Sequence, residues 1–214
     1  MTAIPLAILG AGGHARVVID IVERIGAHRI VGVFDDDSAK WGTQVSGYEV
    51  LGGIDEFLLH WRSRCSEVVI GIGSNRVRQN LYRRLSERAF HVTTAVHPSA
   101  AVGRDVEVGE GTVVMALVAV NPGCRIGPCA VINTSASVDH DCVLGECVFI
   151  APGARLGGNV RVGDLSFVGI GASIIPGRTV GRNVTVGAGA VVITDVPDDV
   201  TVVGVPAHVV PPVG

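Results

Sequence analysis

Aromatic residues make up only 4% of this 214-residue chain, and charged residues only 17%. A coiled coil or a disordered tail would be rich in charge and poor in valine, so the composition excludes both. The longest apolar runs, such as residues 113–120, fall far short of the roughly 20 residues that a membrane-spanning helix needs. We therefore expect no membrane span, although 48% of the residues are hydrophobic.

Signals for export and for nucleic-acid binding are also missing from the sequence. The chain opens without a basic segment followed by an apolar one, so we expect a cytoplasmic protein. The formal net charge of −3 offers no electrostatic footprint for nucleic acid. The five cysteines form no CxxC pair, and we interpret them as small buried residues in a reducing compartment.

Two parts of the chain, residues 1–95 and residues 96–214, differ in the pattern of their apolar residues. In the first part, short apolar runs alternate with amphipathic stretches, which predicts a parallel sheet with helical crossovers. The last of the predicted helices carries basic residues on one face. We expect strands at 6–9, 30–34, 68–72 and 91–95, and helices at 15–25, 54–64 and 76–87.

The second part repeats every six residues from Val102 onward. Sixteen consecutive hexads, without one insertion, have Val, Ile or Leu at position 1. Fifteen of them have a small residue or Val at position 5, and Arg178 is the exception. Three hexads, each one short strand and one bend, make a triangular coil. Position 1 is expected to fill the interior, position 5 to fit the corner, and glycine at position 2 to suit the bend.

One hexad, residues 138–143, contains a histidine between two acids. His140 is the only histidine within the sixteen hexads, and Asp139 and Asp141 flank it. A neutral imidazole is the commonest general base near pH 7, and a neighbouring carboxylate can orient it and stabilise its protonated form. An exposed histidine between two solvated acids is the alternative that these residues leave open.

A glycine-rich loop, residues 10–15, follows the first predicted strand and opens the first predicted helix. It matches G-x-G-x-x-A, and Asp35 ends the next strand twenty residues beyond Ala15. Glycines there let backbone amides approach a phosphate at the helix N-terminus. The pattern is typical of a nicotinamide oxidoreductase, but the segment before the repeat holds one mononucleotide-binding half rather than the usual two.

The repeat resembles the left-handed parallel β-helix of hexapeptide-repeat acyltransferases. Within it, Asn133-Thr134, residues 138–142 and Gly145-Glu146 resemble the active-site stretch of the sialic-acid O-acetyltransferase (NeuD) and bacillosamine N-acetyltransferase (PglD) family. The opening loop and the closing residues 195–207 extend the resemblance over nearly the whole chain. The resemblance implies an α/β Rossmann-like nucleotide-sugar-binding domain (residues 1–95) followed by a left-handed parallel β-helix acetyltransferase domain with a C-terminal tail (residues 96–214).

Site residues of the β-helix follow from the same resemblance. His140 would be the catalytic base and Asp141 would raise its basicity, with Asp139 a weaker candidate for that role. Gly158 is a candidate backbone donor to the oxyanion. Phe149 stands nine residues after His140, where the family often has a histidine, and its ring would pack against the cofactor. The implied acetyl-CoA contacts are Phe149, Gly158, Ile170 and Ala188.

In the first domain, the resemblance implies a site for a nucleotide-linked sugar. Gly13, His14 and Ala15 would lie along the diphosphate-sugar. Asp35 and Asp36 would face the nucleobase or ribose, and Gly53 would contact the nucleotide. The alternatives are a solvated turn at residues 35–37 and a histidine that merely begins a helix.

The expected function is transfer of acetyl from acetyl-CoA to the amine of a UDP- or GDP-linked 4-amino sugar in surface-glycan biosynthesis. The co-substrate is expected in a groove between two protomers of a homotrimer, with no metal involved. A sugar O-acetyltransferase and a non-catalytic β-helix scaffold are alternatives. A zinc site like that of β-helical carbonic anhydrases would want three histidines, which the hexads do not contain.

Overall fold

The computed structural model describes residues 3–211. The chain divides into two compact units, and the division falls between Pro98 and Ser99. The sequence places the change of pattern close to this point, at residues 95 and 96. Among the described residues, no helix combines the length and the apolar character that crossing a bilayer requires.

The first unit is an α/β sheet with helical crossovers. Its strands are β1 (Ile4–Leu9), β2 (His28–Phe34), β3 (Gln44–Val45), β4 (Tyr48–Gly52), β5 (Glu67–Ile70) and β6 (His91–Val92). The short strand β7 (Ala95–Val96) follows and lies outside this sheet. Its helices are α1 (Gly13–Ile25), α2 (Ile54–His60) and α3 (Asn75–Ser86), and a short 3-10 turn spans Ser38–Lys40. The sheet order is β3-β4-β2-β1-β5-β6, and all neighbours are parallel except the β3–β4 hairpin.

The sheet order positions the glycine-rich loop. β1 is central, and its residues 6–9 are fully buried because both faces of the sheet are covered. β1 lies between β2 and β5, so the chain leaves β1 and β5 toward the same sheet edge at the point where the strand order reverses. Ligands of open α/β sheets bind at such a switch point.

Several details of this unit differ from the sequence predictions. The predicted strand at 91–95 is divided into β6 and β7. Helix α2 ends at His60 rather than at residue 64, and the Trp61 ring that follows it contacts the rings of Phe34 and Phe57. The hairpin of β3 and β4 is an addition to the predicted strands, in which β3 has only two residues and β4 also pairs with β2.

Arg78 departs from the prediction that helix α3 carries its basic residues on one face. It is fully buried on the same face as Leu81 and Leu85. Its guanidinium donates to the carbonyls of Ile72 and Gly73, each at 3.1 Å. A buried guanidinium needs such acceptors, so Arg78 fixes the loop that follows β5.

The second unit is a three-sided parallel β-helix of very short strands. Face one contains β10 (Val113–Val114), β13 (Val131–Ile132), β16 (Phe149–Ile150), β19 (Phe167–Val168), β22 (Thr185–Val186), β24 (Thr201–Val203) and β25 (His208–Val210). Face two contains β8 (Ala101–Val102), β11 (Ala119–Val120), β14 (Ser137–Val138), β17 (Arg155–Leu156), β20 (Ser173–Ile174) and β23 (Val191–Val192). Face three contains β9 (Glu107–Val108), β12 (Arg125–Ile126), β15 (Val143–Leu144), β18 (Arg161–Val162) and β21 (Thr179–Val180).

The interior of the β-helix follows the hexads as predicted. Position 1 is buried in every hexad from Val114 to Val192. All five cysteines, four of them in this unit, are buried, which confirms their interpretation as small core residues. Along a face, each strand pairs in register with the strand one coil later, as Val120 does with Val138 and Val138 with Leu156.

The bends correct the prediction for position 2. In every hexad from residue 102 to residue 191 it is position 4 that has positive φ, which lies in the left-handed region. Glycine at position 2 has a different cause, which is close approach between coils. A Cβ added to Gly127 would fall 2.7 Å from the carbonyl carbon of Gly145 one coil later.

The sixteenth hexad does not form a full bend. Val196 pairs with Val180 and Thr201 with Thr185, so the distance along the chain between stacked residues falls from eighteen to sixteen. Two residues are therefore missing from the last corner. The chain then reverses, and β25 pairs antiparallel with β24.

We expect Val114→Ala to lower the free energy of unfolding by about 2 kcal/mol, because Val114 is fully buried at position 1. Val102→Ala is the matched control, since Val102 has the same position in the first hexad but is 41% exposed. Its effect should stay within about 0.5 kcal/mol. Urea denaturation measures both, and equal losses would contradict the assignment of position 1 to the core.

Candidate functional site

One corner of the β-helix carries a histidine–aspartate pair. This corner, called the His140 corner, joins face two to face three and includes residues 122, 140, 158 and 176. His140 Nδ1 lies 2.8 Å from Oδ2 of Asp141. With Nδ1–H donating to the carboxylate, Nε2 carries the lone pair and can accept a proton.

Asp139, on the other side of the histidine, is held as an anion. Its Oδ1 accepts a hydrogen bond from Nδ2 of Asn121 at 2.6 Å and another from the backbone N–H of His140 at 2.8 Å. These two bonds, the one from Asn121 first, lower the pKa of the Asp139 carboxyl. The side chain therefore places a fixed negative charge beside the imidazole.

The surroundings of His140 make it a stronger base than a free histidine. The hydrogen bond that the ring donates to Asp141 is the main cause that raises the pKa of His140. The negative charges of Asp139 and Asp141 add to this effect, against the opposing effect of desolvation. The side chains of His140 and Asp141 are 54% and 61% exposed, so Nε2 belongs to the surface of the prism and not to its interior.

Gly158 lies one coil after His140 at the same corner. A Cβ added to Gly158 would fall 2.5 Å from Nε2 of His140, so only glycine leaves room for the ring. None of the residues described accepts a hydrogen bond from the Gly158 amide. A backbone N–H beside the basic nitrogen is an arrangement that can stabilise a developing oxyanion.

The other predicted contacts of acetyl-CoA lie elsewhere on the prism. Ile170 and Ala188 stack at the corner between face one and face two, where the Gly189 amide donates to the Ile170 carbonyl at 2.8 Å. We call this the Ile170 corner. Phe149 belongs to face one, across the triangular section from the His140 corner. One chain therefore does not bring Gly158 and Ile170 to the same site.

Phe149 is nearly buried, at 8% exposure. Its ring stacks on that of Phe167 one coil later, with 5.3 Å between centroids and 26° between planes. Its contact with a cofactor stays a prediction.

In the first unit, the glycine-rich loop borders a cavity of about 290 Å³ lined by residues 10–14, Asp35, Lys40 and residues 71–73. Helix α1 begins at Gly13, so its first amides point toward this cavity as in known phosphate sites. A Cβ added to Gly12 or Gly13 would meet nothing within 4 Å, which leaves the backbone open to a ligand. Ala15 is buried in the first turn of the helix.

Asp35 holds the shape of this loop. Its Oδ2 accepts from the Ala11 amide at 2.6 Å, its Oδ1 accepts from the Asp37 amide at 2.9 Å, and Lys40 Nζ donates to both oxygens. Burial opposes ionisation, but the amides of Asp37 and Ala11 and the Lys40 ammonium hold the pKa of Asp35 below its usual value. A direct contact of Asp35 with ribose or base stays a prediction.

His14 is neutral at physiological pH. Burial, and then the positive charge of Arg78, lower the pKa of His14 to about 4. The imidazole can therefore take part in hydrogen bonds in this cavity without adding charge.

A second cavity of about 520 Å³ shares Asp35 and Ile72 with the first. Asp36 lines it and also caps helix α2, since its Oδ1 accepts from the Ile54 amide at 2.8 Å. Gly53 precedes this helix, with Trp41 3.3 Å from the place of a Cβ. The complete lining is Asp35, Asp36, Ile54, Ile72, Arg76, Val77, Asn80, Leu81 and Arg84.

Several polar residues of these sites carry no signal in the sequence. Lys40 lies in a short turn with no motif of its own, and Arg76 and Asn80 belong to a helix for which only a basic face is predicted. Asn121 could have been found, because it lies one coil before Asp139 in the repeat. Among residues 3–211, no group of three or more His, Cys, Asp and Glu side chains is placed to hold a metal ion.

The chain is similar to known proteins in sequence and in fold. Residues 5–85 match the family model for the PglD N-terminal domain. Over 113 residues the chain is 36% identical to the UDP-N-acetylbacillosamine N-acetyltransferase of Bacillus subtilis (strain 168). That match covers 52% of this chain and spans only about half, 51%, of the curated relative.

Solved structures match over nearly the whole chain. PerB from Caulobacter crescentus, solved with CoA and GDP-perosamine, is 42% identical with a TM-score of 0.91, covering 97% of both chains. The acetyltransferase domain of PglB from Neisseria gonorrhoeae FA1090, solved with acetyl coenzyme A, is 37% identical with a TM-score of 0.90. That match covers 98% of this chain and 100% of the other. These matches confirm the predicted fold class, a Rossmann-like domain followed by a left-handed parallel β-helix.

We expect His140 to titrate above the ordinary histidine pKa of 6.5, and Asp141→Asn to lower its pKa toward that value. A neutral amide stabilises the imidazolium less than a carboxylate does. NMR titration of the imidazole Cε1 proton, assigned by its loss in His140→Gln, measures the change. Asp105→Asn is the control, because Asp105 has the same bend position two coils earlier. Equal shifts in both variants would contradict the pairing.

Proposed function

This chain belongs to the PglD/NeuD-like family of sugar acetyltransferases, and we propose that it transfers acetyl from acetyl-CoA to the amine of a nucleotide-linked amino sugar. The observation that carries the proposal is the exposed His140–Asp141 pair, which has the Gly158 amide one coil later at the same corner. The two adjoining cavities of the first unit support a nucleotide-linked acceptor.

The proposed reaction uses Nε2 of His140 as the general base. The amine nitrogen of the sugar attacks the thioester carbonyl carbon, and Nε2 takes the proton that the nitrogen loses. The carbonyl oxygen becomes an oxyanion, which the Gly158 N–H stabilises. When the C–O double bond re-forms, the C–S bond breaks and the CoA sulfur leaves, taking the proton from the imidazolium. Asp141 stabilises the imidazolium between these two steps.

An amine is favoured over a hydroxyl as the acceptor. Amine nitrogen is already nucleophilic, so a single histidine suffices to remove its proton during the attack. The curated relative from Bacillus subtilis is named an N-acetyltransferase, which supports the same choice. Transfer to a sugar hydroxyl is the alternative, and the product of the reaction distinguishes the two.

We assign the nucleotide part of the acceptor to the first unit. The amides at the start of α1, next to Gly12 and Gly13, would hold the diphosphate in the smaller cavity, with His14 as a neutral hydrogen-bonding partner. The nucleoside would enter the larger cavity, where the carboxylate of Asp36 can accept N–H groups of a base and the Asn80 amide can both donate and accept. Uracil and guanine both carry such N–H groups.

The separation of the predicted acetyl-CoA contacts supports a groove between protomers. His140 and Gly158 lie at one corner, and Ile170 and Ala188 lie at another. Both pairs can contact one acetyl-CoA only if the Ile170 corner of one protomer meets the His140 corner of its neighbour. A cyclic trimer repeats this contact at three equivalent interfaces.

We expect His140→Gln to lower kcat by roughly 10²- to 10⁴-fold, the usual contribution of a general base. The assay is thiol release from acetyl-CoA with a panel of UDP- and GDP-linked 4-amino sugars, and mass spectrometry identifies the acetylated atom. His60→Gln, at the exposed end of α2, is the control and should keep the activity of the unaltered chain. Undiminished activity of His140→Gln would sink the assignment of the base.

The groove between protomers makes a second prediction. We expect His140→Gln and Ala188→Arg each to be inactive alone, since one lacks the base and the other blocks the neighbouring wall. Mixed trimers should regain about a third of the full activity, because one of the three interfaces in every mixed trimer combines two intact corners. Differently tagged subunits, purified by both tags, provide the sample. An inactive sample of proven mixed trimers would show that no site is shared.

A further inference from the structure

The bend one coil before His140 makes three contacts with Asp139 and Asp141, the residues on either side of the histidine. We propose that Asn121-Pro122-Gly123 is a positioning element that sets the orientation of His140 through its neighbours Asp139 and Asp141. The inference rests on the proposed function for its catalytic meaning. Its geometry is argued from contacts within the chain alone.

Two of the contacts are hydrogen bonds. Asn121 Nδ2 donates to Oδ1 of Asp139 at 2.6 Å, and the same oxygen accepts from the His140 backbone N–H. The Asp141 amide donates to the carbonyl of Pro122 at 3.1 Å. The preceding bend therefore fixes the backbone on both sides of His140.

The third contact is the close approach of Gly123 to the Asp141 carboxylate, which leaves no room for a side chain at position 123. A Cβ added to Gly123 would fall 2.6 Å from Oδ1 of Asp141 and 3.6 Å from its Cγ. The other carboxylate oxygen of Asp141 is the one that accepts from His140 Nδ1. A side chain at position 123 would therefore push the carboxylate away from the ring.

The bend itself does not require glycine at this position. The equivalent fourth position is Leu117, Asn159 and Leu165 in other hexads, all with positive φ. Gly177, at the same corner, has a φ of +72° against +77° for Gly123, yet a Cβ there would meet nothing within 4 Å. The two glycines share the backbone conformation and differ in what lies beside them.

The charged groups that act on His140 all belong to its own bend. They are Asp139 and Asp141. The neighbouring bends 121–123 and 157–159 contain no titratable side chain. Behind the bend, burial raises the pKa of the Cys142 thiol to about 12, so that group stays neutral. A change in the titration of His140 therefore reports on the two carboxylates.

The decisive variant is Gly123→Ala, compared with Gly177→Ala. We expect Gly123→Ala to lower the pKa of His140 toward its ordinary value, because the ring loses its acceptor. It should also lower kcat by roughly ten- to a hundredfold, the cost of a small misplacement, with KM for both substrates nearly unchanged. Gly177→Ala carries similar backbone strain and should leave the His140 titration where it is in the unaltered chain.

The NMR titration needs no activity, so it separates this inference from the proposed function. If Gly123→Ala leaves the His140 pKa unchanged, or if Gly177→Ala lowers it equally, the positioning role is overturned. If the pKa falls but His140→Gln is fully active, the positioning stands and the assignment of the base fails.

A second variant covers the case in which Gly123→Ala does not fold. Asn121→Ala removes the donor to Asp139 at an exposed position without backbone strain. We expect a severalfold lower kcat with KM unchanged, and restored activity in Asn121→Gln supports the role of the amide. Asn183→Ala removes a similar bond of 2.7 Å to Asp199 and controls for stability. Equal kcat in Asn121→Ala and the unaltered chain would overturn the role of Asn121.

Discussion

Direct stacking of identical coils is the constraint on which the second unit depends. Each short strand pairs with the strand one coil later, so residues eighteen apart touch along every face and corner up to the last coil. A side chain at a corner therefore has its surroundings set by two positions, one coil before and one coil after. For His140 these positions hold Pro122 and Gly158. The imidazole ring occupies the space that a side chain at position 158 would take.

The same constraint explains how much of the site the sequence could predict. The six-residue period identifies the core positions, because branched residues recur at position 1 of the hexads. It also singles out His140, because no other hexad contains a histidine. The roles of Asn121 and Gly123 depend on distances across coils, which the period implies but does not give. Glycine at position 2 suggests a bend in the sequence, because a glycine required by a close approach between backbones looks the same there as a glycine required by a bend.

The first unit was harder to predict in detail, since its polar groups are arranged by tertiary contacts. Arg78 shares a helix face with Leu81 and Leu85, a spacing that indicates burial, but its acceptors are carbonyls of a loop that only the fold brings near. Asp35 was recognised from its place after a strand. Its bonds to Ala11 and Lys40 depend on how the glycine-rich loop curls. Motifs indicate where both sites lie in the sequence. Tertiary contacts decide which polar atoms of these side chains are already engaged within the protein.

The shortened last corner and the reversed strand have a consequence for the last edge of face one. A stack of parallel strands presents unsatisfied backbone groups at its end, and another chain can add to such an edge. On face one, β25 runs antiparallel along β24 and occupies that edge. The face therefore ends in an antiparallel strand, which covers the edge of β24 and does not continue the parallel stacking on which the coils depend.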